Sequence, residues 1–153
     1  GATVALVASL ALLGAWLIWQ PLRSSGASSA ALVAAGQGHT GQAFADAHAA
    51  AAADPLALQP RLVLASLYAS IADQRAARAQ LTQAVSLQPG NRDSWLALGQ
   101  YDLSHGQPQR ALPSLRRAVA LDPTVPETVD TLNQALAAIS QRRHHRRHAA
   151  RRR

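Results

Sequence analysis

The densest chemistry in this 153-residue sequence lies at its C-terminal end, RRHHRRHAARRR. His144 and His148 stand four positions apart, so a helix would present both on one face, as a two-histidine metal pair requires. Seven arginines (Arg142, Arg143, Arg146, Arg147, Arg151, Arg152 and Arg153) crowd the same stretch. They would repel a cation, and a third or fourth ligand is lacking, so no metal is expected. Anions suit the segment better: polybasic stretches beside a membrane attract acidic headgroups by roughly 1 kcal/mol per Arg. Nucleic acid would attract the same charge without sequence preference. The seven arginines are therefore expected to be the contact with an anionic lipid surface, with no specific nucleic acid as partner. Like charges repel along residues 141–153, and this tail is expected to be disordered.

Elsewhere the sequence is poor in reactive groups. Cys is absent, which excludes disulfides, Cys-based zinc sites and thiol nucleophiles. No Gly-rich phosphate loop, nucleophile elbow or credibly spaced carboxylate pair occurs. His39 and His105 fall at turns and His48 sits alone among alanines, so all three read as polar surface residues. No catalytic residue, no cofactor and no metal is expected, and the chain reads as a non-enzyme. Aromatics make up only 4%, too few for base-stacking modules. Residues 1–140 carry eight Arg against eight Asp plus Glu, so the formal +7 belongs wholly to the last thirteen residues. The pI of about 11.6 describes a tail and not a basic domain.

Three elements must position these groups. Residues 2–19, ATVALVASLALLGAWLIW, hold no charge and as a helix would span roughly 27 Å, near the thickness of a bilayer core. Trp16 and Trp19 mark the far end, where aromatic rings favour the interface. Residues 1–20 are thus expected to form a transmembrane helix, and 21–29 a short Ser/Gly/Pro linker holding whatever follows near the surface. Arg23 lies directly after the span, and the positive-inside rule then places the remainder in the cytoplasm. The absence of Met, even at position 1, leads to the expectation that the chain begins inside a longer precursor.

From residue 30 to 140 the apolar spacing is helical, and the same residue types return every 34 positions. Pro55, Pro89 and Pro123 keep this interval, each after a polar residue (Asp54, Gln88, Asp122). So do Ala43, Ala77 and Ala111, and Ala50, Ala84 and Ala118, while Leu64 pairs with Leu98 and Leu87 with Leu121. Small residues let two helices approach, leucines fill the space between them, and the proline ends the second helix. This pattern resembles the tetratricopeptide repeat (TPR). Trp95, Leu98, Gly99, Gly106, Ala111, Leu115, Ala118 and Pro123 carry it best. The middle repeat matches through Leu64, Ala65, Tyr68, Ala77, Leu81, Ala84 and Pro89, and the first keeps Ala31, Gly38, Ala43, Ala50 and Pro55. The expected fold is an all-α TPR solenoid of helix–turn–helix units, with repeats at 24–57, 58–91 and 92–125. A cap helix at 126–140 would cover the last apolar face. Pro113 is expected to kink the second helix of the third repeat or delay its start.

The resemblance implies a groove lined by the first helix of each repeat, taking a protein or peptide partner. Carried over position by position, it gives Gln59, Leu62, Ser66, Ala69 and Ser70, then Asp93, Leu96, Gln100, Leu103 and Ser104. TPR domains that clamp chaperone C-terminal carboxylates carry Lys, Arg and Asn here, and Leu62, Ser66, Leu96 and Gln100 are none of these. The groove therefore suits an apolar or amphipathic segment. The leading expectation is a membrane-tethered TPR scaffold for protein–protein interaction at a bacterial inner membrane. Two alternatives share the anchor-plus-repeats layout. The juncture Trp19, Gln20, Pro21, Arg23 resembles the C-terminal end of O-antigen-ligase-like polytopic proteins, and a bacterial cytochrome c biogenesis TPR factor would look similar.

Overall fold

The structure is a computed structural model that describes residues 29–151. The expected transmembrane helix (1–20), the linker apart from its last residue, and Arg152 and Arg153 lie outside the described residues. Among the described residues seven helices follow one another: α1 (29–36), α2 (Thr40–Ala53), α3 (Leu58–Ser70), α4 (Gln74–Leu87), α5 (Arg92–Ser104), α6 (Pro108–Leu121) and α7 (Pro126–Arg151). Among the described residues there is no strand, and no helix is long and apolar enough to cross a membrane. The helix pairs α1/α2, α3/α4 and α5/α6 fall within the three expected repeats, and α7 begins at Pro126 as the cap helix does. The chain divides into two compact units, residues 1–80 and 81–153.

The first unit is held together by small side chains. Ala31, Ala34, Ala43, Ala47 and Ala51 are buried with Val63, Leu64 and Leu67, and Phe44 and Tyr68 pack against them. Alanine at the helix crossings brings backbones close, so the core is thin yet continuous. The Phe44 and Tyr68 rings lie 4.9 Å apart in a tilted pair, within the favoured range for aromatic contacts.

In the second unit α5 packs along α6, and α6 along α7. Leu96, Ala111, Leu115, Ala118 and Ala135 form the buried centre, with Trp95, Leu103 and Leu132 against it. The Trp95 indole N–H donates to the Pro89 carbonyl at 2.9 Å, tying the start of α5 to the preceding turn. Asn91 caps α5, its Oδ1 accepting from the N–H groups of Asp93 and Ser94.

Two devices follow the repeat, the first in the outer two repeats only (Gln88 stands at the middle position) and the second in all three. Before the prolines, Asp54 Oδ1 accepts from Leu56 N–H at 3.1 Å and Asp122 Oδ1 from Thr124 N–H at 3.0 Å, an Asx turn with proline at its centre. Between the helices of each pair, residues 38, 72 and 106 all adopt positive φ: Gly38 at 80°, Ala72 at 60° and Gly106 at 67°. The next residue's N–H then reaches a carbonyl five positions back (His39 to Ala34, Asp73 to Tyr68, Gln107 to Asp102), closing the helix end. Glycine takes this conformation freely, and the middle repeat places alanine there.

Two expectations are corrected. The cap helix does not stop at Ser140, and the tail is not disordered through its length: α7 continues to Arg151. No Gly or Pro interrupts residues 127–151, and Ala, Arg and Gln favour helix strongly enough to carry the backbone on despite the repulsion. Arg142 Nη2 also donates to the Gly106 carbonyl at 2.7 Å, fixing the extension to the α5–α6 turn. Pro113 does not delay α6, which starts at Pro108 and runs through it. Pro113 is exposed, so its ring meets solvent, and the carbonyl it leaves unbonded belongs to exposed Gln109.

Candidate peptide-binding faces

The α3 face belongs to the first unit. Gln59, Ser66, Ala69 and Ser70 are exposed along it, and Leu62 is half-buried. The two hydroxyls are directed at their own helix: Ser66 donates to Val63 carbonyl at 2.8 Å and Ser70 to Leu67 carbonyl at 2.7 Å. With donors so occupied, the surface is smooth and nearly neutral, with small side chains that leave room for a partner's.

The α5 face belongs to the second unit and is more structured. Asp93, Gln100 and Ser104 are exposed, while Leu103 is half-buried against the core. Leu96 departs from the expectation of a groove contact, being 6% exposed and part of the buried cluster that includes Ala135 of α7. Sequence alone does not show that the core covers Leu96.

The first turn of α7 braces this face through residues that sequence reasoning did not single out. Gln100 Nε2 donates to Glu127 Oε1 at 3.1 Å, and Arg92 Nη1 donates to Thr128 Oγ1 at 3.0 Å. Arg92 also pairs with Asp93. Thr128 is fully buried, so the Arg92 bond satisfies a hydroxyl that would otherwise cost free energy. Nearby, the Asp122 carboxyl is held below its usual value by the Thr124 hydroxyl and then the Thr124 N–H, with a smaller contribution from the Arg92 guanidinium and against desolvation.

Of the expected anion-contact residues, Arg142 and Arg143 are exposed, and Arg142 is committed to the Gly106 carbonyl. Arg146, Arg147 and Arg151 fall on the helical backbone of α7. No group of three metal-ligating side chains occurs among the described residues.

No protein-family model matches the sequence, and no curated protein aligns with it significantly. Solved structures share its fold. The first TPR domain of human RPAP3 superposes with a TM-score of 0.68 at 18% identity, over 81% of this chain and 98% of that one. The Yersinia enterocolitica type III secretion chaperone SycD, in complex with a peptide of the translocator YopD, gives 0.64 at 15% identity, over 77% and 93%. The second TPR domain of human RPAP3, in complex with the HSP70 peptide SGPTIEEVD, gives 0.62 at 17%, over 76% and 97%. The chain therefore has the TPR helix–turn–helix fold.

Proposed function

We propose that this chain is a non-enzymatic scaffold that binds extended or amphipathic peptide segments on the first-helix faces of its repeats. The observation that carries the reading is that none of the residues expected to line those faces is a cation. Ser66 and Gln100, equivalent at the 34-residue interval, are both exposed, and neither is a cation. SycD and the second TPR domain of RPAP3 have the same fold and are described in complex with peptides. The HSP70 peptide bound by RPAP3 ends in acidic residues. Ser66 and Gln100 offer such a terminus no cationic partner, which supports an apolar or amphipathic ligand here.

A peptide library displayed on phage and selected against the full chain tests this. Enriched peptides should be rich in apolar residues without an acidic C-terminus, and Ser66→Trp or Gln100→Trp should weaken them about tenfold or more by filling the face. Selected peptides indifferent to both substitutions would overturn the reading.

The charge-free run 2–19 supports a membrane tether for the scaffold, and Arg23 supports a cytoplasmic location of the repeats. Protease added to cells whose outer envelope alone is permeabilised, with the inner membrane intact, should leave residues 30–151 undigested. Their digestion would place the repeats on the other side.

A further inference from the structure

The second unit carries an open trough between α6 and α7, away from the α5 face. Leu112 of α6 and Leu136 and Ile139 of α7 line it, together with Arg116 and Arg143, around a space of about 380 Å³. Leu136 is 42% exposed, so the trough presents apolar surface to solvent. On α6 the apolar residue and the arginine are four apart, and on α7 the series Leu136, Ile139, Arg143 runs at intervals of three and four. Each wall is therefore a helical stripe passing from hydrocarbon to guanidinium, and two such ridges form a groove of the kind a third helix packs into.

The charge of the trough is one-sided. Pro108–Leu121 and residues 131–151 together hold eight arginines and not one carboxylate. Neither Arg116 nor Arg143 has a hydrogen bond or ion pair among the described residues. Both guanidiniums are exposed, and they stand at the rim of an apolar depression; the carboxylates of the two helices, Glu127 and Asp130, sit at the start of α7, thirteen or more residues before Arg143, and neither lines the trough. A matching partner must supply apolar side chains for the floor and carboxylates about one turn away for the rim.

We infer that the α6–α7 trough docks an acidic amphipathic helix, seated by leucine-like side chains against Leu112, Leu136 and Ile139 and held by carboxylates on Arg116 and Arg143. This site is separate from the faces of α3 and α5 and stands or falls without them.

The probe is a synthetic amphipathic helix of leucine, alanine and glutamate, fluorescently labelled, titrated by anisotropy against the full chain in nonionic detergent. Binding should weaken as salt rises. Arg116→Glu and Arg143→Glu, both at exposed positions, should each lower affinity about tenfold, and Leu136→Asp should do the same through the floor. Circular dichroism checks that the variants remain folded, and swapping glutamate for lysine in the probe should abolish binding. Equal binding of the lysine probe, or affinity unmoved by all three substitutions, overturns the proposal. So does failure of the acidic probe while the chain self-associates through Leu136, since the occupant would then be a second copy.

Discussion

Gly99 of α5 and Leu115 of α6 touch without room for one further carbon. A Cβ added at Gly99 would stand 2.5 Å from Leu115 Cδ2 and 2.6 Å from its Cγ, and Leu115 is fully buried. Gly99→Ala gains about 1 kcal/mol of helix propensity but overpacks this crossing by about 1–3 kcal/mol. The net expectation is a loss of up to about 2 kcal/mol, read as a lower denaturant midpoint, with Leu115→Val in the same chain recovering part of it. An unchanged midpoint for Gly99→Ala would mean that the two helices separate freely.

Ala72 invites the opposite substitution. It holds φ 60° where the repeats before and after it use Gly38 and Gly106. A left-handed conformation costs a residue with a Cβ about 1–2 kcal/mol, and the extra freedom glycine gives the unfolded chain offsets part of that. Ala72→Gly should therefore raise stability by about 0.5–1 kcal/mol, while Gly106→Ala lowers it. Thermal unfolding of the two variants side by side checks both signs, and a loss at Ala72→Gly contradicts the account.

Much of this was legible in the sequence because the pattern repeats. Alanines and prolines 34 apart located the helix crossings and the turns, and Gly38 and Gly106 marked two of the three left-handed positions. Ala72 was hidden because residue type no longer reports its backbone. Leu96 was expected to line the groove, but it lies in a buried cluster with Ala111, Leu115 and Ala118 of α6 and Ala135 of α7, 15 to 39 positions away, which no local pattern encodes. The tail misled for a different reason. Its charge repulsion is obvious, while the helix propensity of Ala, Arg and Gln adds up residue by residue and goes unnoticed. Gln100 was expected only as a groove contact, and its bond to Glu127, like that of Arg92 to Thr128, joins residues 27 and 36 positions apart that no local pattern pairs.

Pro113 lies inside α6 on its exposed side, where it removes one backbone bond and packs against nothing essential. Proline in a helix interior costs about 3 kcal/mol relative to alanine, less what it saves by stiffening the unfolded chain. Pro113→Ala should stabilise the protein by about 1–2 kcal/mol. A melting temperature that stays put would show that the helix has already absorbed the proline by local adjustment.

Asp122 should give acid unfolding part of its pH dependence. Its folded pKa lies below the usual 3.8, first because the Thr124 hydroxyl bonds the ionised form. A depressed carboxyl stabilises the fold above its unfolded pKa, and that contribution disappears as pH falls through the folded value. The effect is therefore intact at neutral pH and confined to the region at and below about pH 4. Carbon-detected NMR titration should place the Asp122 midpoint below 3.8, and Thr124→Val should move it upward. A midpoint at or above 3.8 would sever this link.

The helical continuation of α7 supports a final test, because two forces on it respond oppositely to salt. Arg142 ties the helix to the Gly106 carbonyl at 2.7 Å, a directional bond that salt scarcely weakens. Beyond it, Arg143, Arg146, Arg147 and Arg151 share one short helix, and like charges one turn apart oppose helix formation by a few tenths of a kcal/mol per pair. Screening removes the repulsion and leaves the tie. Amide exchange over residues 143–151 should therefore slow as salt rises from low to physiological strength, and truncation after Ser140 should lower total helicity. Arg142→Ala should cost about 0.5–1.5 kcal/mol in stability and speed exchange along the same stretch at every salt concentration. Exchange that quickens with salt, or that ignores Arg142→Ala, would show that neither the tie nor the propensity of these residues holds the end of α7 together.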